Sequence, residues 1–150
     1  MKPCLLCMVT YNRIEMTQQC IQSLLDTANP SLYSLFIIDN GSTDGTPDYL
    51  NSLDHPCIEK VVYNAENLGT ARALNIGWKL AYERGQHVSK IDNDVTWYDN
   101  NWLDKMYYVI EKAEDVGLVG LKRRDLEEKP NHNDPFFRTW FYTLPNDQVI

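Results

Sequence analysis

Cys4-Leu5-Leu6-Cys7-Met8-Val9, running straight into Thr10-Tyr11-Asn12-Arg13, lies at the start of the chain. Six apolar residues in succession, with no polar alternation, describe a strand covered on both faces. The run is far too short to span a membrane, and no small-residue cleavage site follows it as in a signal peptide. Ile14, Ile21, Leu24 and Leu25 then make a helical stripe over residues 14–26, and Asn29-Pro30-Ser31 breaks it. Leu35-Phe36-Ile37-Ile38 is a second wholly apolar run. Doubly covered strands alternating with helices predict an α/β fold with a mostly parallel central sheet flanked by helices.

The alternation continues. Asp39-Asn40-Gly41-Ser42-Thr43-Asp44-Gly45 is a loop rich in Asx and glycine. Thr46 is the expected N-cap of a short helix reaching Leu53, with Pro47 at its first position. Residues 58–63 form a third strand and end at Asn64-Ala65-Glu66-Asn67-Leu68-Gly69. Thr70 is the expected cap of a longer helix with the stripe Ala71, Leu74, Trp78 and Ala81, closed by Arg84-Gly85. Residues 87–91 give a fourth strand leading into Asp92-Asn93-Asp94. Asn100 or Asn101 caps the next helix, with Leu103, Met106, Tyr107 and Ile110 inward. Val116-Gly117-Leu118-Val119-Gly120-Leu121 is the expected fifth strand. From Lys122 the periodicity fails, so the chain divides into a domain over 1–122 and an extension over 123–150.

The length of 150 residues suits one domain, and 43% hydrophobic residues suffice for a core. A net charge of −7 argues against a general nucleic-acid binder. It does not argue against a nucleotide held through a divalent cation, which brings its own positive charge. Cys4 and Cys7 are spaced C-x-x-C, yet in a strand they point to opposite faces. With no second such pair and no Cys/His cluster, all four cysteines (Cys20 and Cys57 included) are expected to be buried thiols in a reducing compartment. The expected location is cytoplasmic, a peripheral position at the inner membrane face included.

Thr10, Tyr11, Asn12, Asp39, Asn40, Asn67, Asp92 and Asp94 all fall at or just past the carboxyl ends of expected strands, where open α/β sheets bind ligands. If residues 92–94 are extended, Asp92 and Asp94 share a face, with Asn93 opposite. Paired carboxylates repel unless a cation lies between them, and hard oxygen donors suit Mg²⁺ or Mn²⁺. The alternative is a solvated turn at a strand end. There is no G-x-G-x-x-G after the first strand and no G-x-x-x-x-G-K-[ST], so a phosphate must be neutralised by other means.

Val9-Thr10-Tyr11-Asn12-Arg13, Ile37-Ile38-Asp39-Asn40-Gly41-Ser42-Thr43-Asp44-Gly45, Asn67-Leu68-Gly69 with Ala71-Arg72-Ala73-Leu74-Asn75-Ile76-Gly77, and Ile91-Asp92-Asn93-Asp94 together resemble the family 2 glycosyltransferases. The resemblance covers about residues 4–122, the nucleotide-binding half of such enzymes. It implies the GT-A (Rossmann-like) fold and metal-dependent, inverting transfer of a sugar from a nucleotide-diphosphate sugar, a UDP-sugar foremost, to a sugar, lipid or protein acceptor. It implies nucleotide-sugar contacts at Thr10, Tyr11, Asn12, Asp39, Asn67, Arg72, Asp92 and Asn93. It implies Mn²⁺ or Mg²⁺ at Asp92 and Asp94, with Asp94 the direct ligand.

Each role has a plainer alternative. Asp39 could accept from a base ring N–H or simply form a turn. Tyr11 could stack on the base or pack in the core. Arg72 could meet the ligand or pair with a surface acid. Asn67 and Asn75 could orient loop and helix. The family's general base lies in an acceptor-binding half well past the Asp-x-Asp. Here the later acids Asp125, Glu127, Glu128, Asp134 and Asp147 carry no motif, and neither does His132 as a further metal ligand. The expectation is therefore a truncated chain, or a minimal module that binds nucleotide-sugar without turnover. Phe136, Phe137, Trp140, Phe141 and Tyr142 are the expected contact surface for an absent part or a second subunit. A sugar nucleotidyltransferase is the reading from another class, but such enzymes carry a glycine-rich basic loop where this chain has Tyr11-Asn12-Arg13.

Overall fold

The computed structural model describes residues 2–113 and 116–121. The chain divides into two compact units, Met1–Asp104 and Lys105–Ile150, and the sheet lies in the first. Four strands, β1 (Cys4–Thr10), β2 (Tyr33–Asp39), β3 (Ile58–Tyr63) and β4 (Val88–Asp92), alternate with α1 (Ile14–Thr27), α2 (Thr46–Ser52) and α3 (Thr70–Arg84). Every pairing is parallel and the order is β3-β2-β1-β4. A fourth helix, α4, covers Trp102–Lys112. Among the described residues no helix is long and apolar enough to cross a membrane.

The two central strands are apolar on both faces because both faces are covered. Leu5, Cys7, Phe36 and Ile38 pack with Ala73, Leu74 and Ala81 of α3. On the opposite face Leu6, Met8, Leu35 and Ile37 are fully buried, and α1 turns Thr17, Cys20, Ile21 and Leu24 inward. Burying a Leu or Ile side chain contributes about 1.5–3 kcal/mol, so these two layers are the main source of stability. All four cysteines are free and buried, as expected. Burial raises the thiol pKa of Cys4 to about 11 and that of Cys7 to about 12, which keeps both protonated and unreactive at neutral pH.

Three expectations are corrected. The inward face of α3 is Ala73, Leu74, Gly77 and Ala81, not the stripe through Ala71 and Trp78. Trp78 is 42% exposed. The sheet takes Gly77 instead because it approaches too closely for a side chain: a Cβ there would lie 2.5 Å from Cys7 Sγ. Thr46 and Thr70 are the first residues of their helices rather than their caps, the cap positions being Gly45 and Gly69. At α2 a side chain of the preceding loop does the work expected of the threonine, while at α3 an asparagine holds the turn that leads into the cap. Asp44 Oδ1 accepts the Thr46 N–H at 2.9 Å and Asn67 Oδ1 the Gly69 N–H at 2.9 Å. Finally, residues 116–121 form no strand, and Leu118 is exposed. An apolar run becomes a strand only with a pairing edge, and these residues have none among those described. The segment 123–150, with its acids, His132 and aromatic cluster, lies outside the described residues.

Candidate functional site

Register brings the first two candidates together. Thr10 and Asp39 are direct partners at the ends of β1 and β2, so their side chains share a face. Both are buried. Thr10 Oγ1 donates to Asp39 Oδ1 at 2.9 Å, and Ser42 Oγ donates to the same oxygen at 2.5 Å. The Ser42 N–H donates to Oδ2 at 3.0 Å. Asp39 is thus the turn-former of its loop, and Oδ2, holding one bond, keeps room for another donor.

Asn40 locks the next loop to this one. Its Nδ2 donates to Asn67 Oδ1 at 2.7 Å, and its Oδ1 accepts from Asn64 Nδ2 and the Leu68 N–H. Gly41 makes the contact possible. It sits at φ 82°, and a Cβ there would lie 2.9 Å from the Glu66 carbonyl carbon. Asn67 is consequently occupied as a loop-orienting residue through its oxygen. Sequence reading gave Asn40 a general position at the strand ends but not this linking role.

Beyond β1 the backbone takes an uncommon course. Asn12 and Arg13 both have positive φ, 55° and 61°, although neither is glycine. Two such residues in succession cost roughly 1–2 kcal/mol each, so the surroundings must hold them. Asn12 donates its N–H to Ser42 Oγ at 2.7 Å and accepts the Thr43 N–H on Oδ1 at 2.8 Å. Asp44 Oδ2 accepts the Ile14 N–H at 3.2 Å. One carboxylate therefore serves the starts of both α1 and α2, where negative charge is favoured.

Burial opposes the charge of Asp44, but the hydrogen bonds from Thr46 and Ile14 outweigh it and hold the carboxyl below its ordinary value. We expect Asp44→Ala to destabilise the fold by about 1 kcal/mol at about pH 7, the usual worth of a helix cap. A carboxyl lowered by folding contributes fully above its unfolded pKa of about 3.9 and loses its contribution as the pH falls through the lower folded value. Urea unfolding of both proteins should show the gap at about pH 7 and its narrowing as the pH falls through the folded value. A constant gap across that range would mean that the lost charge is not its source.

Tyr11 is 47% exposed, which removes the core-packing alternative and leaves its ring available at the strand end. Arg72 is exposed in the first turn of α3 and makes no ion pair among the described residues. Asp92 is the last residue of β4, while Asn93 and Asp94 form a turn. Strand alternation therefore does not extend to Asp94, a correction to the extended reading of this tripeptide. Asn93 points its Nδ2 to Thr17 Oγ1 at 2.9 Å, and Cys20 Sγ donates to the Asp92 carbonyl at 3.3 Å, so α1 anchors the turn.

Both acidic candidates already face cations of this chain. Lys90 Nζ lies 2.6 Å from Asp92 Oδ1, and Arg13 NH1 lies 3.3 Å from Asp94 Oδ2. The aspartate side chains are 55% and 44% exposed. Exposed pairs of this kind contribute about 0–1 kcal/mol and give way readily. Among the described residues no group of three His, Cys, Asp or Glu gathers to hold a metal. The donors fit a Mg²⁺ or Mn²⁺ site in which one or two carboxylates are supplemented by phosphate oxygens and water, rather than an all-protein cage. Asp94 also borders an open cleft of about 690 Å³ shared with Arg13, Ile14, Glu15, Met16, Gln19, Asp44 and Thr96. Thr10 and Asp39 do not line it, so the cleft and the buried carboxylate are separate features of the same sheet edge.

Residues 5–148 match the sequence model of the family Glycosyl transferase family 2. The chain is 30% identical over 107 residues to the putative teichuronic acid biosynthesis glycosyltransferase TuaG of Bacillus subtilis, covering 69% of this chain and 40% of that protein. It is 27% identical over 111 residues to the uncharacterized glycosyltransferase alr2836 of Nostoc, covering 73% and 33%. Among solved structures, S. aureus TarS 1–349 in complex with UDP-GlcNAc matches with TM-score 0.62 at 19% identity, over 81% of this chain and 37% of that one. The mannosyltransferase PcManGT of Pyrobaculum calidifontis, in complex with GDP-Man and Mn²⁺, matches with TM-score 0.60 at 22% identity, over 85% and 38%. The chain thus spans well under half the length of these relatives. The family match over nearly the whole chain and the likeness of its parallel sheet to those structures carry one conclusion: the chain belongs to glycosyl transferase family 2 and has the GT-A fold.

Proposed function

We propose that this chain provides the donor half of an inverting glycosyltransferase, binding a nucleotide-diphosphate sugar, a UDP-sugar foremost, with Mn²⁺ or Mg²⁺. The carrying observation is the convergence at one sheet edge of a buried carboxylate, Asp39, with two exposed carboxylates at the end of β4, Asp92 and Asp94. Asp39 has the charge to accept from the ring N–H of a uracil or guanine, a charge-assisted bond that a neutral side chain makes less strongly. Thr10 and Ser42 hold that carboxylate in one orientation. Tyr11 offers a ring to the base, with Asn12, Asn67, Arg72 and Asn93 around the nucleotide-sugar.

Asp92 and Asp94 would hold the cation, which when bound supplies positive charge to the departing diphosphate. The acceptor hydroxyl attacks the anomeric carbon in line as the nucleoside diphosphate leaves, and a general base takes its proton. The nucleotide complexes of the structural relatives support a nucleotide-sugar ligand.

The test is calorimetric titration of UDP into the 150-residue chain, with and without Mn²⁺. Binding that requires the metal is the expected result. If UDP does not bind, GDP, dTDP and CDP follow. If none binds with metal present, the donor-site proposal is wrong for this chain. Release of sugar from a bound donor would then separate turnover from binding alone.

A further inference from the structure

The strand order β3-β2-β1-β4 changes direction between β1 and β4. That junction is where an open parallel sheet leaves a crevice for ligand beyond its carboxyl ends. Among the described residues an ion pair crosses it. Arg13 follows β1, Asp94 follows β4, and NH1 lies 3.3 Å from Oδ2.

The two ends of this bridge are held differently. The backbone around Arg13 is fixed: Asn12 is bonded to Ser42 and Thr43, and the Ile14 N–H to Asp44. The Arg13 side chain is 62% exposed beside the cleft. Its contact with Asp94 is longer than the roughly 2.7–2.9 Å of a well-formed charge-assisted bond. The neighbouring pair, Lys90 with Asp92, is tighter at 2.6 Å. A guanidinium presents a planar fork of donors that fits phosphate as well as carboxylate. Arg13 therefore has a fixed base, an exposed head and a weak present partner.

We infer that Arg13 is a nucleotide-binding residue that couples cation and nucleotide binding. This rests on the donor-site function proposed above. Before the donor arrives, the guanidinium is the counter-ion of Asp94 and competes with a divalent cation for it. When a nucleoside diphosphate enters, the guanidinium passes to its phosphate oxygens and leaves Asp94 open. The cation then binds weakly alone and more tightly with nucleotide, and by reciprocity the nucleotide binds more tightly with the cation.

The experiment is calorimetric titration of the full chain, wild type, Arg13→Gln and Arg13→Lys, first with Mn²⁺ alone and then with UDP at saturating Mn²⁺. Arg13→Gln is expected to bind Mn²⁺ alone on the order of fivefold tighter and UDP on the order of tenfold weaker. Arg13→Lys should recover only part of the UDP affinity, since it restores the charge without the fork. The opposite signs are the signature, because damage to the fold would weaken both. If Arg13→Gln leaves both affinities unchanged, or lowers both together, the inference is overturned while the donor site stands. If wild type binds no nucleoside diphosphate, the two fail together.

Discussion

Asp94→Ala is expected to weaken Mn²⁺-dependent UDP binding by at least about 100-fold, since loss of even an outer-shell partner of a metal ligand costs about 10–100-fold. Stability should change little. Asp94 is 44% exposed, its ion pair among the described residues is with an arginine that is itself mostly in solvent, and such pairs contribute about 0–1 kcal/mol. The turn it occupies is held by other groups, through Asn93 to Thr17 and the Asp92 carbonyl to Cys20. Urea unfolding and calorimetry on the same preparation read the two effects separately. A variant that unfolds along with losing UDP would mean that Asp94 supports the turn. A folded variant with unchanged metal-dependent affinity would remove Asp94 from the cation site.

The parallel sheet was legible because the runs 4–9 of β1 and 35–38 of β2 are apolar at every position, the pattern expected of strands covered on both faces. The same signal misled at residues 116–121. An apolar run specifies willingness to be buried, and whether a partner edge exists is decided elsewhere in the chain. The face of α3 was missed for a different reason. Counting hydrophobic side chains favours Trp78, whereas the sheet selects Gly77 for the side chain it lacks. Helix starts were assigned to threonines by residue type. At α2 the bond comes instead from Asp44, two residues upstream of Thr46.

At the site, the polar residues at the ends of β1, β2 and β4 were readable in order, since strand ends could be counted. Which of them touch was not. The pairing of Thr10 with Asp39 depends on register, and the contact of Arg13 with Asp94 spans 81 residues. Arg13 carried one usable signal: it is a cation just past the first strand, next to a sheet edge that also bears two carboxylates. Its positive φ had none, because nothing in Tyr11-Asn12-Arg13 demands it locally. The bonds that hold that conformation come from the loop after β2.

Asp39 should give the largest loss of stability, and the choice of substitution separates its two roles. In Asp39→Ala the buried Thr10 hydroxyl and the Ser42 N–H lose their acceptor, and each unsatisfied group costs about 1–3 kcal/mol. The expected total is about 2–4 kcal/mol, reduced from the sum because removing a buried charge recovers its desolvation. Asp39→Asn should fold nearly as well as wild type. Its amide oxygen can accept from the Ser42 N–H, while its nitrogen donates to the Thr10 and Ser42 hydroxyls, which can accept as readily as donate. What the amide cannot supply is the charge, so UDP affinity should fall by about tenfold, the difference between a charge-assisted and a neutral hydrogen bond. Unfolding curves and UDP titration of both variants decide the matter. If Asp39→Asn is as unstable as Asp39→Ala, the loop needs the carboxylate itself. If it folds and binds UDP like wild type, Asp39 forms the turn and reads no base, and nucleotide recognition must be sought at Tyr11 and the loop that Asn40 holds in place.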